Sequence, residues 1–240
     1  MKNFIIAAVG SASFIASADA GVLGYSAFYY TASNGNVVID VFTVVSNASD
    51  RLLNVYNVNL TTTQGGSTLA TFVQQTGTAT RGWKPDANTS TRNNIVDSFM
   101  TIGVDGGAPY GGEYYASAGT GADGNFTNWS SLAPTVPVNA GWFLSPPTLP
   151  DNVAESMVGI VGVRTDSSAA AAGSNLGVWC AHFVIASGDV GARWWNATAA
   201  SKDGITGATI TNTGTMNMVP APGVLALLGV AGFASRRRRA

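Results

Sequence analysis

Residues able to carry acid–base or nucleophilic chemistry are scarce in this chain. Glu113 and Glu155 are its only glutamates, His182 its only histidine and Cys180 its only cysteine. Glycoside hydrolysis needs two carboxylates flanking the scissile bond. Glu113 and Glu155, or either one with Asp97, Asp105, Asp123 or Asp151, therefore define a catalytic alternative, a carbohydrate-active hydrolase. Glu113 lies in a Gly/Tyr stretch and Glu155 in "DNVAESM". Neither segment is strongly patterned, so solvated carboxylates are the plainer expectation. Cys180 and His182 stand two residues apart in "VWCAHFVIA". On a regular strand that spacing places both with Val178 and Val184, and puts Trp179, Ala181, Phe183 and Ile185 on the other face. A zinc site takes three or four ligands, and no second Cys or His exists to supply them. A cysteine nucleophile would need a base held by a third group. Packing on a sheet is expected instead, with no catalytic residue and no metal assigned. Structural calcium is the one cofactor with any support, from oxygen ligands at Asp105-Gly106 and Asp123-Gly124-Asn125. The twelve-residue spacing of a calcium-binding loop is absent, and Asp-Gly is first of all a turn signal.

The aromatic residues offer binding chemistry. Trp83, Trp129, Trp142, Trp194 and Trp195 fall in turn-like contexts, and only Trp179 sits in a clear strand pattern. Aromatic rings exposed together stack against the flat faces of sugars, which nominates Trp129, Trp142, Trp194 and Trp195 as glycan contacts. The competing expectation is that these rings cap the open ends of a core, since each buries a large area.

The elements that must position these residues read as strand after strand. "VLGYSAFYY" (22–30) and "VVIDVFTVVS" (37–46) are aromatic and β-branched. "LLNVYNVNLTT" (52–62) follows a turn, so 37–62 reads as a long hairpin. Leu53 and Val55 fall in one phase of that strand, and Tyr56, Val58 and Leu60 in the other. The slip predicts a bulge near Val55 or burial on both faces. Further strands are expected at 69–75, 98–104, 157–165, 177–186 and 208–213, and no helix is expected in the body. Many short strands with Gly/Asn/Ser/Asp turns predict an all-β fold, an antiparallel β-sandwich or jelly roll of about eight to ten strands over residues 21–214. Residues 105–152 interrupt the rhythm with glycines, prolines and aromatics, and read as an ordered excursion over one end of the sheets.

Both termini differ from this body. Residues 1–20 carry Lys2, an apolar run from Phe4, and Ala18-Asp19-Ala20, the pattern of a signal peptide cleaved before Gly21. Export with a single cysteine leaves stability to the core. Without Lys2, Asp19 and Arg236–Arg239 the chain holds 7 basic and 12 acidic residues, a net charge of −5. That balance excludes binding along a phosphate backbone, so no nucleic acid is expected as a partner. Six N-x-[ST] sequons, at Asn47, Asn59, Asn88, Asn125, Asn128 and Asn196, arise readily in a chain rich in Asn, Ser and Thr.

Residues 215–240 end in "MVPAPGVLALLGVAGFASRRRRA". An apolar helix over 224–235 spans roughly 18 Å, short of the roughly 30 Å hydrocarbon core, whereas counting from Met218 gives roughly 27 Å. The arginines then hold the chain end on the cytoplasmic side, with the body outside. Pro-x-Pro, a short Gly/Leu/Ala helix and a terminal Arg cluster resemble the bacterial PEP-CTERM protein-sorting domain. The matching positions are Val219, Pro220, Ala221, Pro222 and Gly223, then Val224 to Ser235, then Arg236, Arg237, Arg238 and Arg239. Ala221 stands where that family usually has Glu. The resemblance implies passage through the membrane by the C-terminal segment, processing by an exosortase and delivery to the cell surface or extracellular matrix. It also implies association with exopolysaccharide and biofilm. The tail supplies an address and no activity, so the expected protein is a non-catalytic surface or matrix component that contacts exopolysaccharide.

Overall fold

A computed structural model describes residues 21–75, 82–85, 91–103, 120–126, 132–145, 152–168, 170, 174–189 and 191–219. The signal segment 1–20, Glu113, Trp129, Asp105, and the tail from Pro220 through the 224–235 helix to Arg239 lie outside these residues. The described chain is all-β, with two antiparallel sheets.

The strands are β1 (Val22–Thr31), β2 (Val37–Val45), β3 (Arg51–Thr61), β4 (Phe99–Met100), β5 (Thr120–Ala122), β6 (Ala140–Leu144), β7 (Glu155–Ser156), β8 (Val163–Asp166), β9 (Leu176–Ile185), β10 (Arg193–Lys202) and β11 (Thr209–Val219). One sheet runs β4-β9-β2-β1-β8, with β7 also paired to β9; the other runs β11-β10-β3-β6-β5. Their facing sides share one apolar cluster. Tyr25, Ile39, Val41, Cys180 and Phe183 enter it from the first sheet, and Leu52, Val55, Trp142, Trp195 and Met216 from the second. This is a sandwich-like arrangement of two sheets on one core.

The expected hairpin over 37–62 does not form. β2 pairs with β1 and β9, whereas β3 pairs with β10 and β6 in the other sheet. Residues 46–50 are an arch that carries the chain from sheet to sheet. Asp50 fixes the arch by accepting from Ser46 Oγ and Asn47 N with one oxygen and from Gly204 N with the other. The true hairpin is β1–β2, closed by Asn34-Gly35, where Gly35 adopts φ +83°. Asn-Gly is a strong hairpin signal because both residues tolerate positive φ.

The phase slip in β3 is real and has two sources. Opposite β10, one extra residue enters β3 between Leu52 and Asn54, and another between Tyr56 and Asn59, where Asn57 takes φ +52°. Each bulge rotates the following side chains by one position. Leu52, Val55, Val58 and Leu60 consequently all point into the core.

Other expected strands change length. Residues 69–75 form no strand: they contribute an isolated bridge from Leu69 to Thr61, bonds from Phe72 N to Pro134 O and Val73 N to Val184 O, and bonds from Gln74 Nε2 to Ser98 O and Gln75 N to Asp97 Oδ1. The expected strands at 98–104 and 157–165 shrink to β4 and to β8 with the short β7. β10 was not foreseen. Its inward positions Trp195, Ala197 and Ala199 alternate one large with two small residues. The small ones suit a layer that receives Tyr25, Trp142 and Phe183 against Trp195. β11 continues to Val219, past the boundary expected at 214, so the first residue of the stretch that resembles a sorting motif pairs with Arg193.

Candidate functional site

The two sheets turn very different outer faces to their surroundings. On the five-stranded sheet, alternation along β11 points Thr209, Thr211, Thr213, Thr215 and Asn217 outward. On β10 the outward set is Trp194, Asn196, Thr198 and Ala200, and on β3 it includes Asn54, Tyr56 and Asn59. The register sets these in cross-strand rows: Asn217–Trp194–Thr61, Thr215–Asn196–Asn59, Thr213–Thr198–Tyr56 and Thr211–Ala200–Asn54–Phe143. Hydroxyls and amides hold one another within the rows. Thr198 Oγ1 lies 2.8 Å from Thr213 Oγ1, and Asn59 Nδ2 donates to Asn139 Oδ1 at 3.2 Å.

Two glycines keep this face flat. A Cβ on Gly121 would strike the Phe143 ring, and one on Gly141 would crowd Asp123 and Tyr56. Phe143 therefore lies over β5 at 39% exposure. From strand rise and spacing, Tyr56 stands about 8 Å from Phe143 and about 14 Å from Trp194. The Asp123 carboxylate lies over Gly141 beside Tyr56, and Lys202 sits at the end of β10. The outward side chains of the cross-strand rows are themselves uncharged.

The outer face of the six-stranded sheet is covered by the chain itself. Phe28, Phe42, Val44, Phe99, Met157, Ala170 and Trp179 form a second, smaller apolar cluster there. Arg92 lies across it, 5.4 Å from the Phe42 ring centre and 5.3 Å from that of Trp179. Its Nη2 donates to both Glu155 carboxylate oxygens at 2.7 Å. Beneath, the buried Asp40 Oδ1 meets Trp179 Nε1 at 3.1 Å and His182 Nδ1 at 2.8 Å. His182 Nε2 lies 2.8 Å from the Asn94 carbonyl, and Phe99 stacks on the imidazole at 4.8 Å. A cleft of about 520 Å³ opens beside this cluster, lined by Tyr30, Asp40, Arg92, Asn93, Ser156 and the Val158–Val161 turn.

This geometry revises the expected positions of several residues. Cys180 and His182 do not share a face. Val41 pairs with Ala181 but Phe42 pairs with Trp179, so Cys180 is the extra residue of a bulge. His182 therefore joins Trp179 outside, and Cys180 joins Phe183 in the central core. The thiol donates to Val41 O at 3.3 Å, and burial pushes it up to about 12. A thiol so placed is no nucleophile at neutral pH. His182 has its outer nitrogen against a backbone carbonyl, which closes it to a hydroxyl nucleophile.

Trp142 and Trp195, nominated as glycan contacts, are 1% and 0% exposed. Trp142 Nε1 donates to Thr101 O and Cys180 O inside the core. Neither ring has a face for a sugar, because both sit on inward positions of their strands. Trp194 alone among the described nominees stands on an outer face. Glu155 is engaged by Arg92 on the sheet opposite Trp142, so these two do not flank a common groove. Asp123 closes an Asx turn by accepting from Asn125 N at 3.0 Å, with Phe126 N bonded to its carbonyl. Among the described residues no group of three or more His, Cys, Asp or Glu converges.

Asp40, Arg92, Tyr56 and Phe143 were not singled out from sequence. Asp40 did carry a signal, a lone charge within the apolar "VVIDVFTVV". Phe143 carried none, since the glycine it lies over, Gly121, is on a different strand. No protein-family model, curated protein or solved structure matches this chain.

Proposed function

We propose that this is an exported, non-catalytic protein of the cell surface or extracellular matrix. Its PEP-CTERM-like tail supplies the address through an exosortase-like enzyme, and its body adheres to exopolysaccharide. On this reading the two sheets are a β-sandwich, followed by the membrane-traversing helix 224–235. The adhering surface is the outer face of the five-stranded sheet. The observation that carries the reading is the flat array of uncharged Thr and Asn rows with Trp194, Tyr56 and Phe143, with the Asp123 carboxylate as the one described charge beside Tyr56. Uncharged hydroxyl and amide groups match the hydroxyls of a neutral polymer, and the rings offer stacking surfaces for its CH faces.

The hydrolase alternative rests on Glu113 or Glu155, and the Arg92 engagement of Glu155 counts against it. Retention of the full-length protein on insoluble neutral polysaccharides tests the proposal. Wild type should be retained, and Trp194→Ala and Tyr56→Ala should each weaken retention about tenfold. Release of reducing ends that disappears in Glu155→Gln or Glu113→Gln would replace this reading with the hydrolase. Intact mass from the native host should begin at Gly21.

A further inference from the structure

We propose that the cleft on the outer face of the six-stranded sheet is a second, separate binding site, for a single ring of a neutral saccharide. Its floor is Asp40. The carboxylate is oriented by Trp179 and His182, which both engage Oδ1. The side chain retains 3% exposure, and among the described residues no donor reaches Oδ2. An oriented carboxylate oxygen at the base of a cleft is satisfied only by a donor from outside the protein.

The lining chooses between a hydroxyl and an ammonium donor. Arg92 and Glu155 neutralise each other. Beyond that pair the described lining adds a phenol, an amide, a hydroxyl and apolar side chains, for which a ring hydroxyl is the matching donor. Tyr30 supplies a second polar group across the cleft. Burial and then the Asp40 carboxylate push its phenol up, which keeps it a hydroxyl. The opposite wall is apolar, with Val158 72% and Val161 67% exposed. One hydroxyl-bearing edge and one CH face are the two sides of a sugar ring. A cleft of this size lies within the range of small-molecule sites. The site does not rest on the adhesive contact proposed above, which uses the other sheet.

The full-length protein would be titrated with a panel of neutral mono- and disaccharides by calorimetry and ligand-observed saturation-transfer NMR. At least one sugar should bind, and Asp40→Asn should weaken it tenfold or more. Because Asp40→Asn also touches His182, Val158→Arg is the decisive variant. It fills the cleft from an exposed position and should abolish binding with the melting temperature unchanged. Trp194→Ala, which should weaken retention on polysaccharide, should leave this binding within twofold. The proposal is overturned if no sugar binds, if binding survives Val158→Arg, or if methylammonium is preferred to every sugar in the panel.

Discussion

The outer faces of the two sheets start from comparable strands and reach opposite solutions. β2 and β9 present Phe42, Trp179, Asp40 and His182 on the outside, groups too apolar or too dependent on partners to meet water alone. Chain from 91–98 and 152–163 returns to cover them, and Arg92 and Glu155 close the cover. β10 and β11 present Thr, Asn and Trp194, which water or a hydroxyl-bearing polymer satisfies, and the register leaves them open. The difference teaches that an outward polar residue identifies a working surface only when its partners lie outside the protein. Asp40 Oδ1 and His182 are spent internally; Tyr56, Phe143 and Trp194 are not.

This contrast is open to attack at several points. Trp179→Ala should be the most damaging change. It removes the ring that Arg92 covers and the donor to Asp40, at a cost of about 3–5 kcal/mol in denaturant unfolding. A loss below about 1 kcal/mol would show that the covered face is no second core. Trp194→Ala should do the reverse, with stability altered by under about 0.5 kcal/mol and retention on neutral polysaccharide weakened about tenfold, or about 1.4 kcal/mol. Arg92→Lys keeps the charge and loses the planar stack and the two-point contact with Glu155. Since both side chains are partly exposed, about 1 kcal/mol of stability is expected to go.

The core between the faces gives a pH readout. Cys180 is raised to about 12 in the fold, from an ordinary value near 9. Stability from this thiol is therefore complete below about pH 9 and is lost as pH rises from there towards 12. At pH 9.5 the loss should be on the order of 1 kcal/mol, absent in Cys180→Ala. The smallest effect concerns salt. Raising NaCl from 50 mM to 500 mM should change polysaccharide retention less than twofold, because no charge on the open face takes part. A steep salt dependence would place the contact elsewhere.

Local pattern alone determined much of this protein. Runs of β-branched and aromatic residues located β1, β2, β3 and β9, since such side chains suit a half-buried pleated surface wherever it lies. The phase slip in β3 announced its bulges. The terminal segments carry the local patterns on which the proposed address rests. Tertiary structure decided the rest, because partners remote in sequence set it. Whether 37–62 closes as a hairpin or arches between sheets depends on Asp50 meeting Gly204, 154 positions away. Which face His182 joins depends on one extra residue at Cys180, visible only against β2. Trp142 and Trp195 looked like surface rings in sequence and are core, whereas Trp194, their neighbour in composition, is not. Parity within a strand fixes that choice, and parity is known only once the sheet that buries one side has formed.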